Sequence, residues 1–387
     1  MSRHITRDSV TWMLYLQLSA FGFFLYGFGP SVPLLARDLG VSDAQASLSG
    51  TALAVGMLLA GLGGARLSRR LTRGTLQWLA LSLLGAGAAV YCAGRGVEVA
   101  CAGALIAGFA GTVVINTTTA ALAEHHGEHA ASAISEANGI SVAIGLAAPA
   151  LLGGLRLLGL DWRWGLLLLL PFIAVLRFAF RRVRLRDTRD TTAVSAGRLS
   201  PLPRDYWRAW AVLLACATVE MCMSFWASEE LRSHTGLAAG TATMAITLML
   251  FGMVVGRLGG ARLARAVPAG TLLLASLSLN AVAFTLLWLS TGPALALTGM
   301  VLCGLGMALQ FPLTVTSAVH ASAGRPDQAM ARVSVGESLA TGLGPLALGL
   351  LSGAIGIHRA FLLVPLLLTI AGLGVAVHRT AEPVANS

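Results

Sequence analysis

Runs of about 20 apolar residues recur along the whole chain, separated by breaks that contain Arg, Asp, Gly, Pro or His. A lipid bilayer offers no hydrogen-bond partner to the backbone, so a segment inside it must pair its own N–H and C=O groups, and a helix of roughly 20 residues crosses a hydrocarbon core about 30 Å thick. The pattern therefore predicts an all-α membrane protein with twelve transmembrane helices. These begin near Val10, Ala44, Gly74, Val97, Ala131, Trp162, Trp210, Leu237, Gly270, Pro293, Ala331 and Arg359.

The composition agrees with a membrane chain. Of the 387 residues, 56% are apolar and only 11% are charged, against roughly 25% charged in soluble domains. The formal net charge is +10 and every basic residue is arginine. We expect no nucleic-acid partner, because the arginines instead follow the positive-inside rule. With a cytoplasmic N-terminus the inner loops and ends hold most of them, which places both termini in the cytoplasm and the protein in the inner (plasma) membrane.

One long segment, residues 181–208, is polar and lacks an apolar pattern. It divides six predicted spans from six. The sequence thus predicts an N-terminal six-helix bundle over residues 1–180, a cytoplasmic linker over 181–208 and a C-terminal six-helix bundle over 209–387.

The two bundles are copies of one unit, related by an offset of 196 residues. The segment LGGARL at residues 62–67 recurs at residues 258–263, Arg69 matches Arg265, and GTL at 74–76 recurs at 270–272. Because each copy holds an even number of spans, both enter the membrane the same way round and are related by an axis along its normal.

Residues 61–76, GLGGARLSRRLTRGTL, resemble the cytoplasmic loop motif of the major facilitator superfamily, and residues 257–272 resemble its second copy. The resemblance implies a carrier whose two pseudo-symmetric halves rock about a central site, with a cavity lined by the first, fourth, seventh and tenth helices. Ser68 occupies the acid position of the motif and Leu71 its second glycine position, while Arg69 stands at its first arginine and Arg73 near its last. We expect gating roles for Ser68, Arg69, Arg73, Arg265 and Arg332.

Three acids lie inside predicted spans. An ionisable group there normally faces a cavity or a partner and marks a transport pathway, because a charge in hydrocarbon costs roughly 2.5 to 3.5 kcal/mol on insertion scales. Glu220 lies near the middle of the seventh span, and Glu136 and Glu337 are shallower. All three are predicted proton-coupling residues, with Glu220 foremost because no intramembrane arginine or lysine is apparent beside it. For Glu136 and Glu337, pairing with arginines near the cytoplasmic mouth is the alternative.

The spans that line the implied cavity carry few polar or aromatic side chains among Leu, Ala, Val, Phe and Met. Amides inside a membrane often make only an interhelical hydrogen bond worth about 0.6 to 2 kcal/mol, so a packing role stays open for each one. The predicted substrate-binding residues are Gln17, Tyr26, Asn116, Asn138, Trp226 and Gln310.

Two transport hypotheses follow. The first is proton-coupled export of a lipophilic or cationic small molecule. It is favoured by the apolar cavity, by Glu220, by the absence of an intramembrane arginine that could hold an anion, and by the exporter-like segments Ala148-Pro149 and Gly344-Pro345. The second is proton-coupled uptake of a sugar or another neutral nutrient. A third hypothesis, which the sequence favours less, is a membrane receptor or scaffold that does not transport. We expect a monomer that contacts its substrate, protons and the lipid bilayer.

Enzymatic activity has no support in the sequence. The chain contains no lysine, which excludes a phosphate-binding loop of the Gly-x-x-x-x-Gly-Lys type and with it ATP hydrolysis. The run EHHGEH at residues 124–129 has the residue types of a metal site. It falls at the end of a span around a glycine, however, and this position favours a solvated loop. We expect no cofactor and no metal.

Overall fold

The computed structural model describes residues 7–127, 130–183, 185, 201–263 and 266–381. Over this part of the chain the secondary structure is helical, with no strand. The helices of the N-terminal half are α1 (Ser9–Leu39), α2 (Asp43–Arg70), α3 (Arg73–Ala93), α4 (Val97–His126), α5 (Ala130–Gly145), α6 (Ala147–Leu157), α7 (Arg163–Leu167) and α8 (Leu169–Ala179). Those of the C-terminal half are α9 (Arg204–Thr235), α10 (Ala239–Leu263), α11 (Ala269–Leu289), α12 (Pro293–Met307), α13 (Gln310–His320), α14 (Pro326–Ile355), α15 (Ile357–Ala360) and α16 (Leu363–Ala381).

Eleven helical segments of the described chain are long and apolar enough to cross a membrane. The fifth, tenth and twelfth spans are each broken into two consecutive helices, α5 with α6, α12 with α13 and α15 with α16. The predicted sixth span is formed by α7 and α8, which are only 5 and 11 residues long. Helix α9 begins at Arg204, so the last residues of the segment 181–208 are helical.

Helix ends follow the local sequence. Asp8 precedes α1 and its side chain accepts a hydrogen bond from the Thr11 backbone N–H at 2.9 Å, which satisfies one of the free donors of the first turn. Gly40 and Gly236 follow α1 and α9 in the left-handed conformation, with φ of 64° and 68°. Glycine adopts this conformation without strain, so both helices stop where the chain must reverse.

The repeat seen in the sequence is repeated in the packing. Gly56 of α2 abuts the Leu105 carbonyl of α4, and Gly252 of α10 abuts the Val301 carbonyl of α12, both pairs at the same offset of 196. A Cβ at either glycine would collide with the facing backbone, so these positions allow two helices to approach closely. The matching contacts show that the second and fourth spans cross in the same way as the eighth and tenth.

The outer surface of the bundle is apolar. Large side chains such as Val175, Phe178 and Leu258 are 63%, 69% and 69% exposed. Such a surface suits contact with lipid tails and not with water.

Candidate functional site

The two halves meet at the end of the bundle opposite the chain termini, which we call the far end. There α2 packs on α14, and α6 packs on α10. The Ser47 hydroxyl donates to the Pro345 carbonyl at 3.2 Å, the Thr51 hydroxyl donates to the Gly342 carbonyl at 2.9 Å, and Ser352 donates to the Asp43 carboxylate at 2.7 Å.

The close approach of α6 and α10 depends on two glycines. Gly153 faces the Gly240 carbonyl, and Gly240 faces the Gly153 carbonyl, so neither position has room for a side chain. An ion pair joins Arg37 of α1 to Glu229 of α9 nearby, and Arg232 also pairs with Glu229 at 2.6 Å. The far end is therefore closed by packing, hydrogen bonds and charge.

At the opposite end, which carries the chain termini and which we call the terminal end, the halves form separate cores. One apolar cluster, which includes Leu14, Leu122 and Ala137, belongs to the N-terminal half alone. Another, which includes Tyr206, Leu213 and Val333, belongs to the C-terminal half and the residues just before it. The large core, by contrast, contains residues of both halves. Over the described residues the bundle is thus joined at the far end and parted at the terminal end.

Four polar side chains come together between the halves: Tyr26 of α1, Glu220 of α9, Arg257 of α10 and Glu337 of α14. The Arg257 guanidinium donates towards the Tyr26 hydroxyl, and the hydroxyl is within electrostatic reach of both carboxylates. Glu220 interacts with Arg257, and Glu337 interacts with Glu220. All four remain partly accessible. We call this group the central charge cluster.

The depth of the central charge cluster follows from helix lengths. Tyr26 and Glu220 lie 17 and 16 residues into their helices, or about 25 Å from the terminal end at 1.5 Å per residue. Glu337 lies 11 residues into α14, or about 16 Å by the same rise. The two acids are therefore staggered, with Glu337 nearer the terminal mouth and Glu220 deeper.

Small residues and a helix break hold these groups in place. Gly145, at the end of α5, lies directly against the Tyr26 ring, where a Cβ would collide with Cδ2 at 2.5 Å. The tenth span is interrupted at Ala308 and Leu309, and these residues pack against Gly256 and Gly260 of α10. That contact supports the turn of α10 that carries Arg257.

The position of Arg257 corrects the sequence analysis. Residues 257–272 resemble the cytoplasmic loop motif, so the sequence predicts Arg257 in an inner loop and no intramembrane arginine beside Glu220. Instead α10 continues to Leu263 and places Arg257 within the eighth span. Among the described residues no ion pair joins Arg257 to either acid, so the guanidinium lies near Glu220 without clamping it.

A comparison of the two sequence copies could have singled out Arg257. At the offset of 196 residues it corresponds to Gly61, just outside the matching segments 62–67 and 258–263. Glu220 corresponds to Phe24 and Glu337 to Ser141. The charged members of the cluster are therefore places where the two copies differ, while the glycines at helix crossings are places where they agree.

Glu136 lies apart from the central charge cluster. Its carboxylate accepts from the Arg7 guanidinium at 2.9 Å and from the Tyr15 hydroxyl at 3.2 Å. The hydrogen bond and ion pair with Glu136 raise the pKa of the Arg7 guanidinium. The structure thus places Glu136 in a salt bridge at the terminal end, with Arg7 as its cationic partner and not an arginine of the C-terminal half.

Beside this pair, the start of α1 is tied to the end of α4. His125 contacts the Asp8 carboxylate at 2.8 Å, and the Thr11 hydroxyl contacts His126 at 2.9 Å. Burial raises the pKa of Asp8, but the hydrogen bonds from Thr11 and His125 outweigh it and leave that pKa below its usual value. Part of the histidine run is thus bonded to α1, while residues 128 and 129 lie outside the described chain.

The predicted substrate-binding residues fall into three groups. Tyr26 is in the central charge cluster. Gln17 and Gln310 are 0% and 2% exposed, and neither amide has a hydrogen-bond partner in the described chain. Trp226 is fully buried and its Nε1 donates to the Pro345 carbonyl at 3.1 Å, which makes it a packing residue in this conformation.

The two asparagines are exposed. Asn138 uses its amide nitrogen to donate to the Ile134 carbonyl on its own helix at 2.9 Å. Asn116 lies on α4 with its side chain accessible. Neither is part of the central charge cluster.

The predicted gating residues are only partly described. The side chains of Ser68 and Arg69, and the whole of Arg265, lie outside the described residues. Arg73 forms an ion pair with Glu124 of α4 within the N-terminal half. Arg332 is exposed at the terminal end, where its backbone carbonyl accepts from Trp210 Nε1 at 2.8 Å.

The fold is that of a membrane carrier: it has two similar helical halves that are joined at one end of the described bundle, with a staggered charge cluster between them at mid-depth. The family model of the Major Facilitator Superfamily matches residues 14–229 and 208–387. The chain therefore belongs to the Major Facilitator Superfamily, a family of secondary transporters. A search of curated proteins gives no match.

Solved structures share the fold. A bacterial homologue of the human lysosomal transporter Spinster, in an inward-facing and occupied conformation, aligns with a TM-score of 0.77 at 16% identity, covering 98% of each chain. The nucleoside transporter NupG aligns with a TM-score of 0.75 at 12% identity, covering 95% of this chain and 98% of that one. The human organic anion transporter MFSD10 aligns with a TM-score of 0.66 at 18% identity, covering 96% and 100%.

Proposed function

We propose that this chain is a proton-coupled exporter of a lipophilic or cationic small molecule. The observation that carries the proposal is the central charge cluster, in which the Glu220 carboxylate interacts with both the Arg257 guanidinium and the Glu337 carboxylate, and all three side chains are partly accessible. Ionisable groups at such a depth normally line a substrate or ion pathway, because burying them elsewhere in a membrane is costly.

The charge count of the cluster supports exchange of a proton for a cation. With Glu220 and Glu337 both ionised, Arg257 balances only one of the two negative charges. The remaining charge is neutralised either by a proton or by a cationic substrate, and the two compete for the same carboxylate. Competition of this kind is the requirement for antiport, in which proton entry displaces substrate on one side and substrate binding displaces the proton on the other.

The state of the bundle supports alternating access. With cytoplasmic termini, the parted terminal end opens the central charge cluster to the cytoplasm while the far end is sealed. Export then requires the halves 1–180 and 209–387 to rock so that the contacts of α2 with α14 and of α6 with α10 separate. Glu337, nearer the mouth, receives or releases protons on the cytoplasmic side, and Glu220 holds the deeper position. We place the carrier in the inner membrane as a monomer.

A second candidate, uptake of a neutral hydroxylated compound, is favoured by one observation. Gln17 and Gln310 have buried amides without partners in the described chain, and amides suit the hydroxyl groups of a sugar. Under this candidate the same acids carry the proton inward together with substrate.

The proposal is tested with purified protein in liposomes that carry a pH-sensitive dye inside and a pH gradient across the membrane. Tetraphenylphosphonium serves as the lipophilic cation, and uridine and glucose serve as neutral compounds. We expect the cation to accelerate collapse of the proton gradient, because each cation that moves exchanges for a proton. Acceleration by uridine or glucose, and not by the cation, would support uptake instead.

Two variants make the test specific. Glu220→Gln removes a carboxylate of the central charge cluster at nearly constant size and is expected to abolish cation-dependent proton flux. Glu98→Gln makes the same change at an exposed position in the first turn of α4 and is expected to behave as wild type. Equal flux in both variants would remove Glu220 from the coupling mechanism.

A further inference from the structure

A second cluster of ligating side chains lies at the far end of the C-terminal half, outside the central charge cluster. It consists of Glu230 and His234 in the last turns of α9 and His358 in α15. Glu230 and His234 are four residues apart and therefore share one face of the helix. One potential ligand atom from each residue lies within 4.8 Å of the other two.

The three side chains already contact one another. The Nδ1 atom of His358 is 2.5 Å from Oε1 of Glu230. The rings of His234 and His358 are stacked, with centroids 4.1 Å apart and an angle of 8° between planes. Trp288 of α11 stacks on His358 at 4.5 Å, and its Nε1 donates to the His358 carbonyl at 2.9 Å. His358 is thus fixed both through its ring and through its backbone.

Glu230 has unused bonding capacity. The residue is only 3% exposed, and its Oε2 has no hydrogen-bond partner among the described residues. A buried carboxylate oxygen without a donor is unusual, because buried polar groups are normally satisfied. The unpartnered oxygen lies on the same carboxylate that contacts His358, so it points to a missing positive ligand.

The nearby arginines do not fill this role. Arg37 and Arg232 both pair with Glu229, the preceding residue. Glu230 itself makes its ion-pair contact only with His358 within the described chain. The negative charge of Glu230 is therefore left to the two imidazoles and to whatever they bind together.

We propose that Glu230, His234 and His358 bind a divalent transition-metal ion, with Zn²⁺ as the best match. Two imidazole nitrogens and one carboxylate oxygen are a ligand set that zinc accepts, with bonds of about 2.0 to 2.2 Å and water in the remaining position. Mg²⁺ and Ca²⁺ prefer all-oxygen sites. Three ligand atoms within 4.8 Å of one another can each reach an ion at about 2.0 to 2.2 Å after a small adjustment of the side chains.

The ion would link the seventh span to the twelfth on the far side. It would lie one residue from Glu229, which holds the ion pair to Arg37 in the other half. A bound Zn²⁺ ion would therefore make the end of α9 more rigid at the place where the halves are joined.

The test measures Zn²⁺ binding to the full chain in detergent, carrying no polyhistidine tag, after removal of metal with a chelator. Competition against a chromophoric zinc chelator gives the affinity and stoichiometry. We expect one tight site per chain in the wild type, and at least a tenfold weaker affinity in His234→Ala, His358→Ala and Glu230→Gln. His320→Ala is the matched control, because His320 is exposed at the terminal end and its one hydrogen bond within the described chain is with the Thr316 carbonyl on its own helix.

A second readout guards against variants that fold poorly. Zn²⁺ is expected to raise the melting temperature of the wild type and of His320→Ala, and to leave that of His234→Ala unchanged. His234 is only partly buried and makes no hydrogen bond in the described chain; its ring stacks on His358. Its removal is therefore tolerated. Wild-type zinc affinity in His234→Ala, or equally tight binding of Mg²⁺, overturns the proposal.

Discussion

The ion pair between Arg37 and Glu229 is the charged contact that joins the two halves at the far end, so its removal should shift the balance between conformations. The side chains are 30% and 12% exposed. Exposed pairs contribute about 0 to 1 kcal/mol, whereas breaking a buried pair costs about 3 to 5 kcal/mol because it strands a charge. In Arg37→Gln, Glu229 keeps Arg232 as a partner, so we expect an intermediate cost of about 1 to 2 kcal/mol. At 1.4 kcal/mol per factor of ten, the far-open population rises about 5- to 30-fold.

Distances between spin labels at the far end measure this shift. Gln45→Cys on α2 and Gly353→Cys on α14 place one label on each half at exposed positions. Cys101→Ser removes the native cysteine that is not fully buried.

In this background Arg37→Gln should add a longer-distance population. Arg208→Gln, which breaks an exposed pair within one half, should leave the distances unchanged. An unaltered distribution in Arg37→Gln would refute the view that this ion pair holds the far end closed.

Two further predictions concern stability. Gly108→Val and Gly304→Val should each lower the melting temperature by a similar amount, since a Cβ at either glycine collides with a backbone carbonyl of the neighbouring helix and overpacking costs about 1 to 3 kcal/mol. Gly61→Ala is the control and should melt like wild type, because a Cβ there has nothing within 4 Å. Unequal losses at Gly108 and Gly304 would contradict the view that the two positions are equivalent helix crossings. Asp8→Ala should cost about 0.5 to 1 kcal/mol as a lost helix cap on a half-exposed side chain. Folding lowers the pKa of Asp8 from 3.8, so the Asp8 carboxylate stabilises the folded state above that pH, and this stabilisation is lost as pH falls through the folded pKa. The difference in melting temperature between wild type and Asp8→Ala should therefore vanish in strong acid. A difference that does not depend on pH would contradict the role of Asp8 as a charged helix cap.

The scaffold was predictable because it depends on simple periodic features. The apolar runs are set by the thickness of the bilayer, and the offset of 196 residues is carried by glycines such as Gly56 and Gly252, which occupy equivalent helix crossings. The central charge cluster was only half predictable. Glu220, Glu337 and Tyr26 stand out as polar residues inside spans, and the structure brings them together.

The parts of the site that the sequence did not predict depend on where helices end and on which way their side chains face. Arg257 resembles a loop residue because it adjoins the arginine-rich segment that follows it, and only the continuation of α10 to Leu263 places it inside the membrane. Trp226 and Gln310 look available in the sequence but are buried. The contacts of Glu230 with His358 join residues 128 positions apart, and no local pattern marks such a pair.

Proton release on substrate binding tests the central claim most directly. Purified protein in weakly buffered detergent solution is mixed with tetraphenylphosphonium at several pH values between 5 and 8, and a pH dye counts the protons released. The account predicts about one proton per bound cation in the wild type at some pH in this range, and none in Glu220→Gln. Cation binding with no proton release at any pH, or undiminished release from Glu220→Gln, would contradict it.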